Sequence, residues 1–566
     1  MHCRRNLLRC GIQLFKERQN RRLLSLSQDV AWVVKSSYPE FIVPTESIPQ
    51  HVWSRCEEWS DNIAFECGVT GRSYTYGATR KLCRRFAASL HRAGLQAGST
   101  LAIVMPNSPE WPIVFLGALE AGFVVTTINP TYTADEISKQ LQDSQVKVIV
   151  TLSAIHSTIM TAVKISVGKN NPLVIIAPGF QQGSQLPAGS IDLMEMLQKD
   201  INTSVRISGD FNDTAVLPYS SGTTGLPKGV MLSHKNFVSA CSQLNCLHEL
   251  CLTEPAVGSH QDICPVIMPF FHIYGMTVLL LAKMLHGVKM VTLPRFEPTS
   301  FFNLLDKHEV RFMNIAPPLV LFLATHPGLQ KRHIRALKYV SCGAAPLPRT
   351  DIHRFLERAP RVSFMQGFGM TETTSVGLRS RPYDKNYESV GVPIPNTEVK
   401  ISHPESGATL ACGEIGELCM RGPQVMKGYY NRPDATSDTI DSEGWLHTGD
   451  IGHYDDKNHF YIVDRLKELI KVKGFQVAPA ELEQILRSHP QIEDAAVVGI
   501  PDVKNGEVPK AYVVPKGSKI SQDDVKKFVA EKVSEYKHLK GGVQFIDKIP
   551  KSPSGKILRR ILKEQL

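Results

Sequence analysis

Short runs of consecutive apolar residues alternate along the chain with longer amphipathic stretches. Residues 101–105, 124–127, 146–151 and 173–176 are short, mostly apolar runs, which marks buried strands. Between them, residues 81–93, 109–121 and 134–144 carry helical periodicity. Strands alternating with helices predict a parallel sheet sandwiched by helices. An amphipathic helical stretch from about residue 43 and a hairpin over 63–76, turning at Thr70-Gly71, precede this series. Buried strands at 213–218 and 230–232 flank a polar loop and open a second series. That series has strands at 262–269, 289–293, 312–316 and 339–343, and helices at 276–285, 300–308 and 317–325.

Residues 391–461 change texture, to short alternating strands with many turns, which reads as a small β-barrel or sandwich. Beyond Asp464-Arg465 come a helix at 481–487 with Pro479 in its first turn, strands at 495–500 and 510–514, a capped helix at 521–536 and a strand at 543–546. The expected fold is α/β plus α+β. A large N-terminal domain (residues 40–465) contains two doubly wound sheets and a small β-barrel, and a mobile small C-terminal α+β domain (466–566) follows.

Composition adds constraints. At 566 residues the chain exceeds a single core, and 42% apolar with 21% charged residues is ordinary for a globular protein. Twelve scattered cysteines without a CxxC pair suit a reducing compartment. Cys241, Cys246, His248 and Cys251 would fall on different faces of a helix, which argues against zinc there. The net charge of +10 is concentrated in residues 1–28, which hold seven Lys/Arg and one Glu, so no basic stripe for nucleic acid runs through the body. On a helix Leu8, Ile12 and Phe15 form a stripe beside Arg5, Arg9 and Lys16, the composition of a mitochondrial transit peptide, although an untargeted basic tail shares it and would leave a cytoplasmic protein. The terminal Lys563-Glu564-Gln565-Leu566 lacks a peroxisomal pattern, and charges interrupt every long apolar run, so no membrane span is expected.

The polar loop is the centre of the chemistry. Tyr219 to His234 reads YSSGTTGLPKGVMLSH. Glycines admit close backbone approach, hydroxyls and amides donate to phosphate oxygens, and Lys228 adds positive charge. It is not a Walker loop, because Lys228 follows Pro227, precedes Gly229 and leads into a strand. QGFGMTET (366–373) sets two glycines around Phe368, a flat ring suited to a purine, with Thr371 and a carboxylate at Glu372 able to hold Mg²⁺. HTGD (447–450) and Asp464-Arg465 supply a carboxylate for a vicinal diol and a guanidinium. PFFHIYG (269–275), ELIKVKGFQVAP (468–479) and PKSPSGKILRR (550–560) carry His272, Lys471 and Lys556.

The SSGTTGLPKG string resembles the signature loop of the adenylate-forming superfamily, which includes acyl-CoA synthetases, 4-coumarate-CoA ligases, luciferases and peptide-synthetase adenylation domains, and the resemblance runs from about residue 40 to the end. It implies an ATP-dependent, AMP-forming carboxylate-CoA ligase that uses ATP, Mg²⁺ and coenzyme A. Its nucleotide would meet Ser220, Ser221, Gly222, Thr223, Thr224, Gly225, Lys228, Gly343, Ala344, Ala345, Gln366, Gly367, Phe368, Gly369, Thr371, Asp450 and Arg465, with the metal on Glu372. Cys342 departs from a glycine common in relatives. By the same resemblance Lys556 serves adenylation, Lys471 and Gln476 serve thioester formation, Lys467 is the hinge, and His272 has a gating or positioning role beside Tyr274. Gly343, Gly369 and Ser375 would line an acyl pocket with room for a long chain, and Lys537, Lys540, Arg559 and Arg560 could meet CoA phosphates. A medium- or long-chain fatty acid is the expected acid, with 4-coumarate or another aryl acid next; a luciferase-type oxygenase and a carrier-protein-loading adenylation enzyme are the rivals from other classes.

Overall fold

The mostly apolar runs of the first half become adjacent strands of one nine-stranded sheet. Its parallel part runs Thr214–Val216, Val124–Thr127, Thr100–Val104, Val146–Leu152, Leu173–Ala177 and Ile191–Asp192. The helix Glu110–Glu120 is buried at every position, and Trp111 stacks on Phe115 at 5.1 Å between ring centroids, which explains why its sequence lacks a polar face. At the other edge the sheet turns antiparallel. Lys228–Ser233 pairs with Thr214–Val216, with the short strand Tyr219–Ser220 and with Gly428–Tyr429.

This computed structural model describes residues 32–166, 172–181, 185–199, 210–220, 227–246, 252–473, 475–517, 520–552 and 555–564. The leader-like residues 1–28, and His248 and Cys251, lie outside them.

The second series divides between two sheets. One orders Ile263–Val266, Lys289–Thr292, Ile63–Cys67 and Ser73–Thr75; the other runs Phe312–Ile315, Tyr339–Cys342 and Ser363–Phe368 in parallel, then adds Leu378–Arg379 and Val392–Pro393 antiparallel. The helix expected at 276–285 opens as a π-helix over Gly275–Leu281. A Cβ on Gly275 would lie 2.0 Å from the Pro269 carbonyl oxygen, so this turn accepts no other residue without moving its neighbour.

The region read as a small barrel is a five-stranded antiparallel sheet in the order Val34–Lys35, Glu398–Ser402, Gly416–Arg421, Leu446–Tyr454 and Phe460–Arg465. A separate C-terminal sheet joins Phe475–Val477, Ile470–Val472, Gly506–Pro515 and Ile492–Asp502, with Val543–Phe545 alongside, around its own apolar core. The helix expected over 521–536 stops at Ala530, and only a single 3-10 turn, Glu535–Lys537, follows. Among the described residues no helix is long and apolar enough to cross a membrane.

Candidate active site

The cradle begins as a hairpin, because Tyr219–Ser220 and Lys228–Ser233 pair with Tyr219 opposite Gly229 and Ser220 opposite Lys228. Residues 221–226, which include Ser221, Gly222, Thr223, Thr224 and Gly225, lie outside the described residues. The hairpin is anchored by the Tyr219 hydroxyl, which donates to Asp143 Oδ2 at 2.6 Å, while Arg432 pairs with the other oxygen of the same carboxylate at 2.9 Å. Lys228 Nζ sits 4.9 Å from the centroid of the Tyr429 ring. The hydroxyls of Ser220 and Tyr429 both donate to Oε1 of buried Glu372, at 2.7 and 2.9 Å. Two strands and the 3-10 turn that carries Glu372 thus converge on one carboxylate oxygen, and a carboxylate held in this way is the kind of group that ligates a hard cation.

The adjoining wall is bare backbone. A Cβ on Gly343 would lie 3.1 Å from the Gly367 carbonyl oxygen, and one on Gly367 would lie 3.3 Å from that of Leu378. Gly369 is tighter still. Its Cβ would fall 1.4 Å from the Ser375 carbonyl oxygen, so its missing side chain is filled by backbone and makes no room for an acyl chain. Ala344, Thr374 and Ser375 hold φ values of 76°, 50° and 103°, a cluster of strained non-glycine residues at this wall. Gln366 is tied by Nε2 to the Tyr387 carbonyl at 2.6 Å, Thr371 opens the turn that carries Glu372, and Ala345 is half-buried. Phe368 packs partly against the core of the antiparallel sheet, which leaves only part of its ring for a purine.

Asp450 and Arg465 are direct partners across Leu446–Tyr454 and Phe460–Arg465, with Arg465 Nε 3.2 Å from Asp450 Oδ1. Burial pushes the Asp450 carboxyl up to about 6, against the pull of Arg465 and Lys556. Burial and the Arg465 charge bring the Lys556 ammonium down to about 8, opposed by Glu468, Asp450 and Glu372. Burial and the nearby Lys556 hold His272 neutral, with its pKa lowered to about 4. Its Nδ1 accepts from the Tyr274 amide at 3.2 Å, and the Tyr274 hydroxyl donates to the Ser341 carbonyl at 3.2 Å. The C-terminal sheet's trailing loop therefore brings Lys556 within electrostatic reach of His272, Asp450, Arg465 and Glu372. Gly555, at φ 85°, makes the insertion possible, since a Cβ there would come within 2.6 Å of Pro318.

The second lysine does not join this group. Lys471 and Gln476 are cross-strand partners, and both are exposed. Lys467 is exposed in the turn between Arg465 and Glu468, whose amide donates back to the Arg465 carbonyl at 2.9 Å. The basic residues offered to CoA phosphates are otherwise engaged. Lys537 pairs with Glu481, Lys540 with Glu535 and Arg560 with Glu564, while Arg559 lies buried between Glu468 and Glu483. For Arg559 this is a correction, because its guanidinium is turned into the fold, with Nε donating to the Val497 carbonyl and the two Nη atoms paired to Glu468 and Glu483.

Sequence reasoning passed over Tyr429, which touches both Lys228 and Glu372. The motif that carries it, MKGYYNRP, has no chemistry of its own; only strand pairing with Lys228–Ser233 brings it to the cradle. Beside the site a mostly apolar crevice of about 330 Å³, lined by Asn107, Asn129, Pro269, Phe271, Phe296 and Pro318 among others, opens at the ends of parallel strands. A larger hollow of about 550 Å³ lies between Lys35, Lys235 and Arg421, and no candidate residue lines it.

Comparison with known proteins agrees with this geometry. The AMP-binding enzyme profile matches residues 52–430, and the AMP-binding enzyme C-terminal domain profile matches residues 481–556. The chain is 38% identical over 543 residues to 4-coumarate–CoA ligase 1 of Petroselinum crispum, covering 94% of this chain and 97% of that one. ATP-bound MatB from Rhodopseudomonas palustris superposes with a TM-score of 0.81 at 26% identity, covering 92% of this chain and 99% of its own. The o-succinylbenzoate CoA synthetase of Bacillus subtilis, in complex with its acyl-adenylate intermediate, gives 0.77 at 26% identity, covering 92% and 98%. With both profiles matched in order and near-complete coverage of its relatives, the chain belongs to the AMP-binding enzyme family of adenylate-forming ligases, and it is an acid–thiol ligase.

Proposed function

We propose that the protein joins an apolar monocarboxylic acid to coenzyme A in two half-reactions at one pocket. In the first, the carboxylate oxygen attacks the α-phosphorus of ATP, the bond to pyrophosphate breaks, and an acyl-adenylate remains. In the second, the CoA thiolate attacks the acyl carbon and AMP leaves. The observation that carries this reading is the convergence of Lys556 with Asp450, Arg465, Glu372 and His272 from separate elements.

Each residue has a role in this scheme. The loop from Ser220 to Lys228 grips the polyphosphate, Asp450 accepts from the ribose hydroxyls, and Arg465 orients Asp450. Lys556 meets the charge that grows on the phosphoryl oxygens, and it stabilises the transition state more than the ground state. Neutral His272 positions the acid and does not deprotonate it, since a carboxylic acid is already ionised near neutrality. Glu372 fits a Mg²⁺ ligand because both hydroxyl donors occupy the same oxygen; the ion would neutralise phosphate charge. The exposed Lys471–Gln476 pair serves the second half-reaction after rotation about Lys467, and the crevice beside Pro318 gives the thiol a way in.

For the acid, the relatives named for 4-coumarate favour an aryl propenoic acid. A medium- or long-chain fatty acid is the second reading, favoured by the arginine-rich, acid-poor residues 1–28, which suit mitochondrial import. One panel separates them: CoA-dependent AMP release measured with acids of increasing chain length beside coumarate. A maximum at coumarate with no turnover of fatty acids selects the first, and rising efficiency with chain length selects the second. AMP release indifferent to CoA would reject the ligase in favour of a carrier-loading enzyme, and light emission with luciferin and oxygen would add an oxygenase. Residues 1–28 fused to a reporter should carry it into mitochondria; a cytoplasmic reporter would reject that address.

A further inference from the structure

Three residues on one face of the antiparallel sheet are unused by the scheme above. Glu417 and Cys419 sit two apart on Gly416–Arg421, so their side chains share a face, and His447 is the direct cross-strand partner of Cys419 on Leu446–Tyr454. Their ligand atoms all lie within 4.8 Å of one another. His447 Nδ1 is 2.9 Å from Glu417 Oε2 and 3.5 Å from Cys419 Sγ. Tetrahedral zinc, with bonds of about 2.0–2.3 Å to nitrogen, oxygen and sulfur, holds neighbouring ligand atoms about 3.5 Å apart. The sulfur–nitrogen separation already matches, and the nitrogen–oxygen pair needs only a small opening.

The surroundings are those of a metal ligand set. His447 Nε2 faces Asp441 Oδ2 at 3.6 Å, which fixes the ring so that Nδ1 points inward, as the outer carboxylate does for zinc-bound histidines. Glu417 Oε1 accepts from the Gly449 amide at 3.0 Å, which turns Oε2 toward the cluster. Cys419 is fully buried, and its sulfur also contacts Ser402 Oγ and the Glu417 carbonyl, at 3.6 and 3.8 Å. His447 is half-exposed and gives a path in.

We propose that Glu417, Cys419 and His447 form a site for a thiophilic divalent cation, zinc above all, with water as the fourth ligand. Binding sends the Cys419 thiol proton to solvent and takes His447 as the neutral imidazole, with Nδ1 on the metal and the ring proton on Nε2 beside Asp441. The metal ties the two strands together three residues before Asp450.

The test uses the full-length protein stripped of metal and titrated with Co²⁺ and then Zn²⁺. The expected result is one Co²⁺ per chain with a thiolate-to-cobalt absorption band, bleached by Zn²⁺, and a rise of several degrees in the unfolding midpoint with Zn²⁺. Cys419→Ser should lose the thiolate band, and Glu417→Gln should weaken Co²⁺ binding at least tenfold, while both variants keep the metal-free protein's circular dichroism. A thiolate band unchanged in Cys419→Ser places the metal on other cysteines and overturns the proposal. No band at all in the unmodified chain means that the cluster holds only its protons, and overturns it equally.

Discussion

Asp450 and Arg465 face each other across two antiparallel strands, 3.2 Å apart, and the buried pair is close enough to Lys556 that all three share one electrostatic field. Burial raises the acid and lowers the base, so both titrate near neutrality. Asp450 must be ionised to accept from ribose hydroxyls, and it loses that charge as pH falls through about 6. Lys556 must be protonated to meet phosphoryl charge, and it loses its proton as pH rises through about 8. The kcat/KM for pyrophosphate release should therefore be bell-shaped between these limits. Lys556→Arg, whose guanidinium stays charged, should move the alkaline limb upward; an unmoved limb would assign it to another group.

The two lysines should separate the half-reactions. Lys556→Ala is expected to lower adenylation by roughly 100-fold or more while sparing thioester formation from supplied acyl-adenylate, because one fixed cation at developing charge is worth that much. Lys471→Ala should do the reverse, since Lys471 points to solvent in this arrangement. Equal loss of both steps in both variants would reject the division.

Much of this was legible in sequence where function rests on contiguous strings. The hairpin is legible from its own turn chemistry, the HTGD carboxylate and the PKSPSGK lysine take their roles from the resemblance of the strings that hold them, and mostly apolar runs such as residues 146–151 identify covered strands. What sequence could not carry is pairing at long range. Val34–Lys35 adds to the edge of Glu398–Ser402, and Tyr429 reaches the cradle only through the register of Gly428–Tyr429 on Lys228–Ser233. The charge of Arg559 is what a CoA phosphate would meet, but the fold closes Glu468 and Glu483 around it, a result no local pattern contains.

Tyr429→Phe keeps the ring beneath Lys228 and removes one hydroxyl from Glu372 Oε1. A hydrogen bond to a charged group contributes about 1.5–3 kcal/mol. The KM for MgATP should rise roughly tenfold, and the unfolding midpoint should fall, since the same bond is made in the ligand-free fold. Steady-state kinetics at varied Mg²⁺ would check it, and an unchanged KM would mean that Ser220 alone orients the carboxylate.

Arg559→Ala leaves Glu468 and Glu483 facing each other without their cation. Removing one partner of a buried ion pair destabilises by about 3–5 kcal/mol. Denaturant unfolding should show a loss of that size in the C-terminal unit. If Arg559 served CoA, stability would hold and the KM for CoA would rise.

The arrangement that delivers Lys556 depends on a glycine. Gly555 holds φ at 85°, where residues with a Cβ are strained, and its Cα faces Pro318 so closely that a Cβ would come within 2.6 Å of the ring. Gly555→Val adds both the strain and the collision, and each acts only while the loop is docked. In the proposed thioester-forming arrangement, with the C-terminal unit rotated about Lys467, Pro318 would no longer obstruct Gly555. The substitution should therefore weaken the adenylating arrangement by about 1–3 kcal/mol, roughly 5- to 150-fold in pyrophosphate release. It should leave thioester formation from supplied acyl-adenylate near its original rate and move the unfolding midpoint little. Pro318→Ala placed with Gly555→Val removes the collision but not the strain, so part of the adenylation rate should return. If the single variant slowed both half-reactions alike, or if the double variant recovered nothing, the contact between Gly555 and Pro318 would not be what holds Lys556 at the nucleotide.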